Sequence, residues 1–203
     1  MDTFDAIYQR RSIKHYDPTH EMPEEEIAKL MDATLQSPTS FNMQNWRFVV
    51  VRDKEVRKRL RAAAYGQAQV EEASIVIVLC AHLGAHALKP ERYWRAAPPE
   101  VGKKLSGLLF NLYEGNEQLQ RDEAMRSVGI AGQTIMLAAK AMGYDSCPMV
   151  GYDPEKVAEV IRLPPGHVLG YLITVGKATQ PAWPKPGQLA QEEVVIRDQF
   201  EPG

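Results

Sequence analysis

Residues 74–81 read SIVIVLCA, an apolar run with no polar alternation. Successive side chains of a strand point to opposite faces, so a strand of this composition is buried on both. It demands a central place in a sheet, with helices covering each face. The remaining patterns supply those parts. Residues 46–51, WRFVVV, are β-branched and aromatic, 168–176, VLGYLITVG, form a final clear strand, and 144–151 make a short segment broken by Pro148. Helical spacing appears at Phe4, Ile7 and Tyr8 over residues 2–11, with Arg10 and Arg11 at the end. It returns at Ile27, Leu30, Met31 and Leu35, behind Pro23 and three glutamates, and at Val56 and Leu60 behind a capping Asp53. Asp153-Pro154 opens another helix by the N-cap and N1-proline pattern.

Three segments are less ordinary. Residues 123–142 are apolar on nearly every helical face, interrupted only by Arg126, Gln133 and Lys140, so this helix belongs in a core or a subunit interface. Residues 90–121 carry Tyr93, Trp94, a Pro98-Pro99 break and then a leucine-rich helix, the character of a lid or channel wall. The tail from Lys177 has no core of its own and should wrap something, with 193–197 able to pair as a strand. Strands and helices alternate, which predicts an α/β or α+β fold around one sheet of about four or five strands, in a single domain spanning 1–203.

Composition narrows the partners. Lys+Arg 24 against Asp+Glu 26 gives 24 − 26 = −2, which removes the positive field that nucleic acids or an anionic membrane would require. Only two cysteines occur, Cys80 and Cys147, so there is no disulfide framework and a reducing cytoplasm fits best. The start MDTFDAIYQRRSIKHYD carries charges where a secretory peptide needs an apolar core, and no run reaches the ~18 apolar residues of a membrane span.

The usual side-chain catalysts are missing. No G-x-G-x-x-G follows a strand, and neither a phosphate-binding G-x-x-x-x-G-K-[ST] nor a G-x-S-x-G elbow occurs. His82 and His86, four apart, would share a helix face as metal ligands, but Gly84 between them and the strand just before favour a loop surface. No metal site is expected. Cys147, before Pro148 and without a base nearby in sequence, reads as a structural thiol.

Two polar clusters stand out. Arg10-Arg11-Ser12-Ile13-Lys14 places three cations and a hydroxyl in five residues. It is either a clamp for a phosphate or oxyanion, or a solvated basic helix end. Residues 38–46, PTSFNMQNW, bring a hydroxyl pair and three amides before a strand, suited to the edge of a heterocycle.

Together with Tyr65-Gly66-Gln67-x-Gln69-Val70, and with residues 143–154, GYDSCPMVGYDP, these clusters resemble the nitroreductase family of flavin enzymes, in order across nearly the whole chain. The resemblance implies an α+β nitroreductase-like fold, a central mixed sheet flanked by helices. It also implies an intertwined homodimer with exchanged C-terminal arms, FMN at the subunit interface and NAD(P)H as reductant. Its residue roles carry over by position. Arg10, Ser12 and Arg11 would hold the FMN phosphate and ribityl chain, and Lys14 would approach the pyrimidine edge, where a cation favours electron uptake. Pro38, Thr39, Ser40 and Asn42 would come from the partner subunit. Gln67 and Gln69 match positions near the pyrimidine edge, while Val150 and Gly151, beside Met149, would turn backbone toward flavin N5. Thr39 stands where the family usually has serine, Asn45 where proline is frequent, and Val150 where some members have an acid. Lys185, followed by Pro186 and Gly187, is left alone where the family presents a Lys-x-Arg pair to the phosphate.

The implied reaction passes hydride from NAD(P)H through the flavin to a small-molecule acceptor, a nitroaromatic or quinone, in a ping-pong cycle. The alternatives are enone reduction or reductive dehalogenation on the same scaffold, a non-catalytic flavin-binding module, and a metal hydrolase built on His82 and His86.

Overall fold

The central strand lies where its composition requires. A computed structural model describes residues 1–200, and in it β2 (Ile75–His82) sits between β1 (Trp46–Val51) and β4 (His167–Gly176), with β3 (Asp145–Met149) beyond β4 in the order β1-β2-β4-β3. Ile75, Ile77, Leu79 and Ala81 point into one layer with Val128, Ala131 and Ile135. Val76, Val78 and Cys80 point into the other with Leu60, Ala63 and Val157. Both faces of the strand are therefore covered, which explains the missing polar alternation.

The covering helices form where caps and periodicity place them. On the first face lie α2 (Glu24–Leu35) and the 25-residue α6 (Glu117–Ala141); on the second lie α3 (Lys54–Ala63) and α7 (Pro154–Ile161). Asp53 accepts from the Val56 amide, and Asp153 from those of Glu155 and Lys156. α1 (Thr3–Gln9) packs against α6, the one-turn α4 (Gln69–Glu72) precedes β2, and α5 (Pro99–Tyr113) follows a 3₁₀ turn at Pro90–Trp94.

Four expectations are corrected. All pairings between the four strands are antiparallel, so the mixed character is confined to an isolated parallel bridge between Ser12 and Ser146. α6 begins at Glu117, six residues before the apolar stretch, because Asn116 caps it through the Leu119 amide. α1 ends at Gln9, leaving Arg10 and Arg11 in extended chain beyond it. Residues 193–197 form no strand: α8 (Gln191–Val194) is one exposed turn, and the residues after it pair with none of the four strands.

Among the described residues, no helix is long and apolar enough to cross a membrane. Burial pushes the Cys80 thiol from 9.0 up to about 11. The folded chain thus holds this proton more tightly than the unfolded one, a stabilisation complete below about pH 9 and lost as the pH rises toward about 11. Urea unfolding of the wild type is expected to lose on the order of 2 kcal/mol across that window from this group, a loss absent in Cys80→Ala.

Candidate functional site

Beyond α1 the chain runs as an extended strap along the free edge of β3. The Ile13 amide donates to the Ser146 carbonyl at 3.1 Å, the Thr179 amide donates to His15 at 3.1 Å, and Tyr16 bridges to Ala178. Ile13 and Tyr16 are the buried anchors, and the Tyr16 hydroxyl meets Thr174 Oγ1 at 3.0 Å. Alternation in extended chain divides the polar residues between them. Lys14 turns over the edge strand, with Nζ donating to Cys147 Sγ at 3.4 Å. Arg11 turns the other way, bonds the Trp183 carbonyl, and lines a cleft of about 400 Å³ with Ile13, Lys140, Asp145 and Ala182.

Arg10 and Ser146 carry the strongest sign of a ligand. Arg10 Nη1 and Ser146 Oγ are buried with no hydrogen-bond partner among the described residues. Such groups cost ~1–3 kcal/mol each when left unsatisfied, so a donor on the strap and a hydroxyl beneath it call for an anionic or polar occupant. The exposed Ser12 hydroxyl and the Lys14 ammonium lie on the same strap, a donor set that fits a phosphate-bearing flavin.

The other end of β3 completes this edge. Val150 is 80% exposed immediately after the strand, while Met149 packs its side chain into the core and offers only backbone. Gln67 Nε2 donates to the Gly151 carbonyl at 2.8 Å and to Ala64 at 3.1 Å, and Gln69 Nε2 donates to Gln67 Oε1 at 3.1 Å. Gln69 is buried. Gln69 thus steadies Gln67, and Gln67 holds the 150–151 backbone.

The second polar cluster lies elsewhere. Residues 38–45 make a tight loop with positive φ at Phe41, Asn42 and Gln44, conformations that cost non-glycine residues about 1 kcal/mol or more each. A web of bonds enforces it. Tyr113 Oη donates to Ser40 Oγ at 2.9 Å, the Ser40 amide to Glu123 at 3.4 Å, the Gln44 amide to Thr39 Oγ1 at 2.9 Å, and Asn42 Nδ2 to the Tyr93 carbonyl at 2.9 Å. Pro38 is exposed at its start. Tyr113 and Glu123 were not legible as loop tethers; a carboxylate on the buried face of an apolar helix was the one available signal.

Within one chain the two clusters do not meet. Glu123 holds the loop near one end of α6, and Lys140, paired with Asp145 at 2.9 Å, borders the strap near the other. Their separation of 140 − 123 = 17 residues is roughly 25 Å of helix. The sheet agrees, because the loop leads into β1 at one edge and the strap follows β3 at the opposite edge.

The remaining candidates fall outside both clusters. Lys185 is exposed in the tail, two residues beyond the Trp183 that Arg11 holds. His86 pairs with Glu114 at 2.9 Å, whereas His82 packs edge-on against His167, so the two do not converge. Among the described residues no group of His, Cys, Asp or Glu is placed to hold a metal ion. Tyr93, in the segment read as a lid or channel wall, is core: its hydroxyl donates to the Ala85 carbonyl at 2.9 Å.

The chain is similar to known proteins over most of its length. The model of the family described as "Nitroreductase family" matches residues 7–177. Protein DrgA of Synechocystis sp. is 53% identical over 182 residues, covering 90% of this chain and 87% of its own. The oxygen-insensitive NADPH nitroreductase of Helicobacter pylori is 30% identical over 167 residues, 77% of each chain. A crystal structure from Exiguobacterium sibiricum, solved in complex with FMN, superposes with a TM-score of 0.90 at 28% identity over 97% of each chain.

Proposed function

The chain belongs to the nitroreductase family, and from that premise we propose that it is a homodimeric FMN-dependent oxidoreductase that takes hydride from NAD(P)H and passes it to a nitroaromatic or quinone acceptor. The observation that carries this reading is the partnerless, buried Nη1 of Arg10 on a strap that also presents Ser12 and Lys14.

FMN, when bound, supplies reversible hydride acceptance, so no acid, base or nucleophile triad is demanded of the protein. The chain's own residues bind and bias. Arg10 and Ser12 would give forked and short donors to a phosphate and polyol, and Lys14 would place positive charge beside the ring edge, favouring electron uptake. Gln67, locked by Gln69, holds the Gly151 carbonyl and thereby orients the exposed 150–151 backbone for a hydrogen bond to the ring.

The loop at 38–45 cannot reach this edge within its own chain, across roughly 25 Å, which favours its delivery to the site by a second copy. The outer surface supports the same assembly. Phe4, Ile7 and Tyr8 of α1, Ile130 of α6, and Val194, Val195, Ile196 and Phe200 of the tail are all exposed in the single chain. Burying such a surface against a partner removes it from water.

The purified protein is expected to carry a yellow flavin spectrum, bleach on anaerobic addition of NADH or NADPH, and recover on addition of a quinone. Double-reciprocal plots at several acceptor concentrations should run parallel, because reductant and acceptor share one pocket in turn. A colourless protein that takes up no added FMN overturns the reading.

A further inference from the structure

A second cleft, of about 470 Å³, opens beside the 38–45 loop, and like the strap it gathers cationic donors. Arg47, Arg92 and Arg95 line it beside Asn42, Trp46 and Tyr93. They come from the start of β1 and from the 3₁₀ turn after Lys89, segments some 45 residues apart (92 − 47 = 45), so nothing local in sequence brings them together. Among the described residues none of the three arginines forms an ion pair with a carboxylate. Arg47 is steadied by Nη1, which donates to the Gln44 carbonyl at 3.0 Å and the Trp46 carbonyl at 2.7 Å. Arg92 lies over the Tyr93 ring, 4.9 Å from its centroid, with Nη2 donating to the Tyr93 hydroxyl at 3.0 Å. Two guanidiniums are thus held in place with part of their donor forks unspent.

Two further observations point to an occupant. Trp46, 6% exposed and part of the lining, has its Nε1 buried with no partner. Nearby, burial first, and then the neighbouring His167, Arg47, Arg92 and His86, hold the His82 imidazole below its ordinary range, the two arginines adding positive charge on that side. Guanidinium forks converging without a counter-charge match a phosphate monoester, which carries close to two negative charges and three acceptor oxygens on one phosphorus. Each phosphate of a dinucleotide's pyrophosphate offers only one charge and two free oxygens.

We propose that this cleft receives the 2′-phosphate of NADPH and makes the enzyme discriminate against NADH. The proposal rests on the oxidoreductase reading above, and uses its geometry: Asn42 belongs both to the loop offered to the flavin and to the rim of this cleft. A dinucleotide whose nicotinamide lies over the flavin would extend outward past that loop to reach the arginines.

The test has a binding arm and a kinetic arm. In calorimetry, 2′,5′-ADP is expected to bind the wild type about tenfold or more tighter than 5′-AMP, the scale of a charge-assisted hydrogen bond, and Arg92→Gln/Arg95→Gln should abolish that preference. In steady state the ratio of kcat/KM for NADPH to that for NADH should fall at least about tenfold in the double variant. Arg92 and Arg95 are both exposed, and Arg95→Glu alone, touching no internal contact, should shift the ratio in the same direction. Equal binding of 2′,5′-ADP and 5′-AMP to the wild type overturns the proposal, as does a variant that weakens NADH and NADPH alike. Neither outcome touches flavin content, so loss of the oxidoreductase reading itself would register separately as failure to bind FMN.

Discussion

Arg10→Ala is expected to weaken FMN binding on the order of 100-fold, the loss of one or two charge-assisted hydrogen bonds at ~1.5–3 kcal/mol each. Fluorescence titration of the flavin-free protein measures it. The size of the effect follows from where the side chain sits: Nη1 is buried without a partner, so the free chain pays for a donor that only a ligand satisfies. For the same reason removing it should not lower the thermal stability of the flavin-free protein and should raise it slightly, since no internal bond of Nη1 is lost and an unsatisfied donor is removed. Arg11→Ala makes the contrast. Its guanidinium is committed to the Trp183 carbonyl across the tail, so its removal should loosen the tail and change FMN affinity far less. Equal effects of the two substitutions on affinity would sink the division of roles along the strap.

Leu79→Ala is expected to destabilise the fold by ~2–5 kcal/mol, read as a fall in urea midpoint at unchanged slope and a drop of roughly 5–15 °C in Tm. Leu79 is fully buried at the middle of β2, facing Phe48 on β1 and Tyr171 on β4 in register, and it packs into the layer beneath α6. The surroundings cannot close over the void. A Cβ built on Gly132 of α6 would stand 3.2 Å from Leu79 Cδ2 and 1.7 Å from the Tyr171 hydroxyl, which shows how closely helix and sheet already approach. That hydroxyl donates to the Val128 carbonyl at 3.4 Å, tying β4 to the same helix. A loss under about 1 kcal/mol would mean the layer repacks freely, against the close fit described.

Much of the architecture could be read from the residues. β2, α2, α3 and α7 lie close to where periodicity and caps place them, because burial on two faces, an Asp cap or an N1 proline each leaves a local mark. The elements that moved are those without such a mark. The start of α6 depends on a single asparagine ahead of a polar turn, and residues 193–197 have strand-like composition but pair with no strand among the described residues. The site was legible in its residue types and less so in its groupings. Gln67 and Gln69 are legible as a pair of amides, but the bonds that tie Gln69 to Gln67 and Gln67 to the Gly151 carbonyl join segments far apart in the chain.

By itself the sequence determined a sheet buried on both faces and a cluster of cations at residues 10–14. Each of these is a property of neighbouring residues, and the chemistry of a short segment expresses it wherever the segment ends up. Only the tertiary structure decided that this cluster lies along the edge of β3, that the 38–45 loop sits at the opposite corner, and that Arg47 meets Arg92 and Arg95 around one cleft. Those facts depend on strand order and on the length of α6, which set distances between residues far apart in the chain and leave no local trace in any one of them.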